Sequence, residues 1–307
     1  MSEPVEPGTG DLSVSAPGPW EHRRVTANGV SIHFAQMGPE RTDHALILIH
    51  GFPLYWWQWH EVMPLLAERG YRVIAMDLRG YGESDMQADE SDLADLARDV
   101  SGVAGALGLR SFTAVGVGMG GTVAWMLGAM GAVRLRSIVL ASAPHPLERH
   151  FVPQQFTKAS VLNGLMTIPL HRVRALENEK YLSRRIGALA AAPNRARLLR
   201  DVPRYHAALI RPFAAEKAAD TWSATRFPSH DSRKSLENRV TVPVVSVRGS
   251  EDPLFAPGEF SRDAEHCTAG LEQHVIPGSG FFVPREAPAE LAAIIAAHVD
   301  SLQPLDD

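Results

Sequence analysis

The sequence predicts an α/β fold: a mostly parallel central sheet flanked by helices, with an inserted helical cap. Three observations carry this. Short apolar runs such as HALILIHG (44–51), YRVIAMD (71–77) and VPVVSVRG (242–249) read as strands buried on both faces. Helix-type segments alternate with them, which calls for a parallel sheet covered on both sides. Between about 146 and 238 the alternation stops, and an Arg-, Ala- and Leu-rich stretch with helical periodicity takes over.

The elements follow in order. Residues 1–20 are rich in Pro, Gly, Ser and acids and read as a disordered tail. They carry no basic n-region or apolar h-region, so they do not read as a signal peptide. HRRVTANGVSIHFAQMG (22–38) reads as a hairpin turning at Asn28-Gly29. The 44–51 strand leads into a predicted helix over 56–70, with Gly70 as its C-cap. The 71–77 strand precedes an amphipathic helix over 91–108, with acids at its start that suit the helix dipole. Then come a strand at 111–117, a helix to about Val133, and a strand at 135–142. After the cap, strands at 242–249 and near 271–278 and a helix over 287–302 close the chain. The organisation is therefore a core of 21–145 and 239–307 with a cap of 146–238, set over the carboxyl ends of the strands where open sheets bind ligands.

Composition narrows the function classes. The chain has 307 residues, 45% hydrophobic and 21% charged, as soluble globular proteins do. Net charge is −5 with no long basic run, which argues against nucleic acid as a partner. The single cysteine, Cys267, rules out an internal disulfide and fits a reducing, cytoplasmic setting. No apolar stretch reaches the roughly 18 residues that suggest a membrane span. No Cys/His cluster has metal spacing, and no glycine-rich phosphate fingerprint follows the first strand, so neither metal nor cofactor is expected. The expected partner is a small molecule, and self-association stays open.

The most informative segment is SFTAVGVGMGGTVAWML (111–127). Strand, glycine-rich turn and helix are the setting of a nucleophile elbow, Gly-x-Ser-x-Gly. The flanking glycines are Gly116 and Gly120, and the position between them is Gly118. Its neighbours Val117 and Met119 are no nucleophiles, and Thr122 lies within the following helix. Glycine there would relieve the strain usually stored at this turn.

Other motifs extend this. His50-Gly51-Phe52-Pro53 is followed by WWQWHEVMPLLAERGYRVIAMDLRGYGESD; Ala143-Pro144-His145-Pro146 precedes the cap; Gly249-Ser250-Glu251-Asp252-Pro253 follows a late strand; PGSGFFVPREAPAEL occupies 277–291. Jointly they resemble the α/β-hydrolase superfamily, and within it the epoxide hydrolase and haloalkane dehalogenase branch. The resemblance implies the α/β-hydrolase fold and a triad of nucleophile, acid and histidine. It maps the acid onto Asp252, the nucleophile onto Gly118 and the histidine onto Phe281. Two members are then replaced by residues that neither attack nor carry a proton. The resemblance also implies oxyanion-hole donors at the backbone N–H groups of Phe52 and Met119, and a ring-opening tyrosine in the cap, for which Tyr181 and Tyr205 are candidates beside Trp222-Ser223.

Several readings stay open. Asp252 is a structural acid or an acid/base. Phe281 packs the cleft or walls a ligand. His50, His145, Asp77 and the 79–85 turn read as structural. Of Trp56, Trp57 and Trp59, Trp57 is the expected cleft residue. The expected site is an open apolar pocket lined by Phe52, Trp57, Gly118, Met119, Phe281 and Tyr181 or Tyr205. For function, three readings compete: a non-hydrolytic enzyme (epimerisation, cyclisation or elimination), a ligand-binding protein without turnover, and a hydrolase of epoxides or esters that uses Asp252 without a covalent intermediate.

Overall fold

The computed structural model describes residues 13–40, 42–86, 91–149 and 157–302. Its frame is one eight-stranded sheet, ordered β1-β2-β4-β3-β5-β6-β7-β8. Strands β1 (Glu21–Ala27) and β2 (Val30–Met37) form the expected hairpin, with Asn28 and Gly29 both at positive φ (47° and 80°), as a two-residue primed turn requires. β2 runs antiparallel to β4 (Arg72–Met76). From β4 onward, β3 (His44–Ile49), β5 (Ser111–Val117), β6 (Leu135–Ala141), β7 (Val244–Gly249) and β8 (Leu271–Ile276) are parallel.

β5 is buried at every position, consistent with a central strand covered on both faces. The order reverses at β3/β5: β3 leads outward to β4, and its other neighbour, β5, leads the opposite way. At such a switch point the loops after the two strands part and leave a crevice. The turn after β3 and the turn after β5 are therefore where the fold itself places a site.

Core helices are α1 (Val62–Ala67), α2 (Leu93–Ala106), α3 (Met119–Ala129), α11 (Val283–Glu286) and α12 (Pro288–Ser301). At the start of α2, the Asp95 carboxylate accepts from the Asp92 N–H at 3.0 Å, which satisfies an otherwise open helix-end donor. The segment expected as one helix over 56–70 is instead a 3-10 turn, Trp56–Trp59, followed by the shorter α1. The Trp56 N–H donates to the Asp77 carboxylate (2.8 Å), which anchors the start of the turn to the end of β4.

The cap comprises α4 (Lys158–Leu165), α5 (Pro169–Leu176), α6 (Glu179–Leu189), α7 (Arg195–Arg200), α8 (Val202–Leu209), α9 (Ala214–Arg226) and α10 (His230–Ser235). It is wholly helical among the described residues, as its periodicity suggested. One expectation is corrected at the N-terminus. Residues 13–20 are docked rather than loose: Val14 and Ala16 are buried, and the Trp56 indole donates to the Val14 carbonyl at 2.9 Å. Residues 1–12 of the expected tail lie outside the described residues.

Candidate functional site

Gly118 stands between β5 and α3 as the helix N-cap, with φ 52° and ψ −107°. This is a backbone region that side-chain-bearing residues seldom enter. Gly120 lets the turn close, since a Cβ there would lie 2.2 Å from the Ile49 carbonyl oxygen and 2.7 Å from that of His50. On the opposite side a Cβ at Gly51 would lie 3.0 Å from the Val117 carbonyl. These small residues bring the 50–53 turn against the start of α3. Among the described residues, the N–H groups of Phe52 and Met119 have no hydrogen-bond partner. Two such donors flanking a tight turn are what an oxyanion niche needs.

Phe281 meets Gly118 directly. A Cβ built on Gly118 would sit 2.6 Å from Cζ of the Phe281 ring. The expectation of an open apolar pocket at Gly118 is therefore corrected: the Phe281 ring takes up the room beside the glycine. Phe281 is 4% exposed and packs between Phe255 (ring centroids 6.2 Å apart) and Phe282 (5.1 Å). Its loop is pinned by Glu286, whose carboxylate accepts from the N–H groups of Gly280, Phe282 and Ala191, each at 2.9 Å. Burial raises the Glu286 pKa, against the pull of those three donors. Because Ala191 belongs to the cap, and because the Phe281 N–H donates to the Leu189 carbonyl (3.1 Å), the same loop ties cap to core.

Asp252 lies in the loop after β7. Its Oδ1 accepts from the N–H groups of Leu254 (2.8 Å) and Phe255 (3.3 Å), while the buried Oδ2 has no partner. The Ser142 hydroxyl is near enough to favour the charged form, yet no hydrogen bond closes between them by geometry. Burial dominates and pushes the Asp252 pKa up to about 6. A carboxyl whose pKa rises on folding contributes stability below its ordinary value of 3.8 and loses it as pH climbs toward 6. Wild-type stability should therefore fall as pH rises over that window, and Asp252→Asn should make that part of the profile shallower, with buried Asp263, its pKa pushed up to about 7, supplying the rest. An unchanged slope in the variant would place the effect elsewhere.

The cap covers this niche with residues that the sequence did not single out as ligand contacts. Trp222 lies against Phe52, ring centroids 5.4 Å apart. Arg185 holds its guanidinium 4.9 Å over the Phe52 ring and donates to the Phe52 carbonyl at 3.2 Å. Burial lowers the Arg185 pKa to about 10. Nothing marks Arg185 among the many cap arginines in the sequence. Trp222 was visible only as an aromatic near the expected position of a tyrosine.

Three expected contacts lie elsewhere. Trp57 stacks on His60 (3.9 Å) beneath Arg204 and beside Trp20. The Tyr181 hydroxyl donates to the Leu162 carbonyl within the cap at 2.6 Å. Tyr205 packs edge-on to Tyr55 (5.8 Å) and lines a space of about 10 Å³ with Phe282, Asp201 and Arg285. A second space of about 10 Å³, under α8, and an open groove of about 550 Å³ beside β8 also exclude Gly118. No group of His, Cys, Asp and Glu among the described residues could hold a metal ion. No helix among them is long and apolar enough to cross a membrane.

The switch-point sheet, the turn at Gly118 and the capping helices together define the class. The chain belongs to the alpha/beta hydrolase fold family, whose sequence pattern it matches over residues 44–288. It is 28% identical over 286 residues to the AB hydrolase superfamily protein YfhM of Bacillus subtilis, covering 90% of this chain and 96% of that protein. It is 33% identical over 126 residues to Epoxide hydrolase 4 of Mus musculus, covering 40% of this chain and 34% of the relative. Epoxide hydrolase B of Mycobacterium tuberculosis is 35% identical over 126 residues, 40% of this chain and 35% of that protein. The matches to these two epoxide hydrolases thus span about a third of their length. Among solved structures, an epoxide hydrolase, CorEH, superposes with a TM-score of 0.76 at 22% identity, covering 92% of this chain and 100% of that one. Cfl2 from Burkholderia cenocepacia gives 0.76 at 24%, covering 91% and 96%. At these identities the structural likeness speaks for the fold.

Proposed function

We propose that this protein is a family member without the usual nucleophile and histidine, which holds a small, largely apolar molecule between core and cap without forming a covalent intermediate. The fit of Phe281 against Gly118 carries the first part of this reading, and the aromatic and N–H groups around Phe52 support the second. The two residues at the positions of nucleophile and base are sterically complementary, and neither can attack or carry a proton. What remains is the N–H pair of Phe52 and Met119, suited to a carbonyl or carboxylate oxygen, and an aromatic lining of Phe52, Trp222, Phe255 and Phe281.

A second reading rests on Asp252. A buried carboxyl with one unpartnered oxygen and a pKa near neutrality can pass a proton to or from a bound molecule. That supports non-hydrolytic chemistry, such as an epimerisation, cyclisation or elimination, over triad-type hydrolysis. Loss of triad members costs about 10⁴–10⁶ in rate, which leaves little room for efficient hydrolysis.

Incubation with serine-directed inhibitors and with reactive epoxides should leave the intact mass unchanged, and turnover of generic esters and epoxides should match buffer. Small apolar carbonyl compounds should raise the melting temperature. A stoichiometric adduct mapped to residues 116–120 would overturn the reading. A proton-transfer role for Asp252 would show as activity lost in Asp252→Asn while ligand binding persists.

A further inference from the structure

A chain of hydrogen bonds runs from the sheet to the docked N-terminal segment, and its proton count does not balance with neutral histidines. Asp77 Oδ2 faces Nδ1 of His33 at 2.7 Å; Nε2 of His33 faces Nδ1 of His22 at 3.0 Å; Nε2 of His22 faces the Ala16 carbonyl oxygen at 2.9 Å. The two imidazoles are nearly coplanar, 18° apart with centroids at 5.1 Å, so their contact lies in the ring planes. Both ends of the chain are acceptors. Three links between two acceptors need three protons, and two neutral imidazoles supply two. With two protons, one link sets lone pair against lone pair.

We propose that the His22–His33 pair holds one extra proton, balanced by Asp77, and that this proton latches the N-terminal segment onto core and cap. Asp77 suits the role of counter-charge. Burial alone would raise its pKa, but the bond from His33 and that from the Trp56 N–H outweigh burial and hold it below the usual range. Its Oδ2 also accepts from the Glu83 N–H at 3.0 Å.

The other groups facing the pair are known. His50 lies beyond Asp77, and Glu83 lies on the 79–85 turn, itself paired to Arg24 and Arg211. The Trp56 ring stands edge-on to His22 at 5.0 Å, and the Ser84 hydroxyl accepts from the His33 N–H. Burial, and after it the neighbouring His33, work against a charge on His22 and lower its pKa, opposed by the Ala16 carbonyl, Asp77 and Glu83, so the pair carries one extra proton and not two. Removal of the third proton leaves the outermost link, His22 to Ala16, as the one to break, because His33 is buried between fixed partners.

That link matters because of what the segment touches. The Ser13 carbonyl accepts from Arg204 of α8 at 2.9 Å, the Val14 carbonyl from the Trp56 indole, and the Ala16 carbonyl also from the Trp20 indole at 2.7 Å. Arg204 in turn lies 4.4 Å over Trp57. The segment therefore bridges a cap helix and the 3-10 turn after β3. A rise in pH through the histidine range should loosen it, and with it one tie between cap and core.

Hydrogen exchange of the Trp20 and Trp56 indole N–H groups, which donate to the Ala16 and Val14 carbonyls, corrected for the intrinsic pH dependence, tests this between about pH 5 and 8. In wild type, protection should fall by about tenfold as pH rises, the effect of one lost hydrogen bond. In His22→Gln, whose amide donates to Ala16 without titrating, protection should be flat. Protection that is constant or rises with pH in wild type overturns the proposal, as does the wild-type slope persisting in His22→Gln. Nitrogen-15 NMR of wild type gives a second readout that needs no variant. Three protonated ring nitrogens on the pair at the acid end support the latch, and two refute it.

Discussion

Gly118→Asp is expected to unfold the protein more readily and to give no epoxide or ester turnover. Two costs add at this position. The backbone sits at φ 52°, which a side chain tolerates only under strain of about 1–3 kcal/mol. The new Cβ would lie 2.6 Å from Phe281 Cζ, and relief of such overpacking costs about 1–3 kcal/mol more. A loss of about 2–6 kcal/mol should therefore appear in urea or guanidinium unfolding. The steric part belongs to the pair. Phe281→His removes the ring tip that clashes, so Gly118→Asp should cost less in a Phe281→His background than in wild type. A double-mutant cycle reads this as a coupling of about 1–2 kcal/mol. Strict additivity would show that Phe281 yields freely, and the proposed interlock would fail. On the proposed function, neither single variant should hydrolyse generic substrates, because a nucleophile without a base, or a base without a nucleophile, restores no unit.

Glu286→Ala should have an effect of similar size by another route. It removes one carboxylate that serves three backbone donors, at Gly280, Phe282 and Ala191. Each buried N–H left without a partner costs about 1–3 kcal/mol, so a total near 3–5 kcal/mol is expected after local rearrangement. Because Ala191 is in the cap and residues 280–282 are in the core, hydrogen exchange should speed up together at 189–191 and 280–282. Glu286→Gln keeps one acceptor oxygen and should lose roughly half as much. Exchange confined to one of the two segments would mean that the carboxylate does not couple them.

The sequence carried the sheet well, for a physical reason. Strands buried on both faces read as short, mostly apolar runs, and 44–49, 72–76, 111–117 and 244–249 are such runs, with polar residues chiefly at their ends or small hydroxyls within. The Asn28-Gly29 turn was legible because few residue pairs accept positive φ twice in succession. The helix expected over 56–70 broke into two pieces at His60 and Glu61 because Pro64 has no N–H to donate to the carbonyl four residues back and its ring crowds that carbonyl. The N-terminal segment looked loose because Pro, Gly and Ser give no periodicity. It docks because its carbonyls meet an indole and a guanidinium donor from two distant parts of the chain, Trp56 and Arg204.

The site divides the same way. By itself, the sequence determined the alternation that builds the parallel sheet, the glycine at the elbow, and the identities of residues 118, 252 and 281, because each is written in local residue types and spacing. Only the tertiary structure decided that Phe281 fills the space beside Gly118, that Trp222 and Arg185 cover Phe52, and that Trp57, Tyr181 and Tyr205 are engaged elsewhere. These are contacts between segments far apart in the chain, and their direction depends on packing angles that no local pattern encodes. The same holds for the His22–His33–Asp77 chain, whose members lie on three strands or strand ends and meet only when the hairpin pairs with β4.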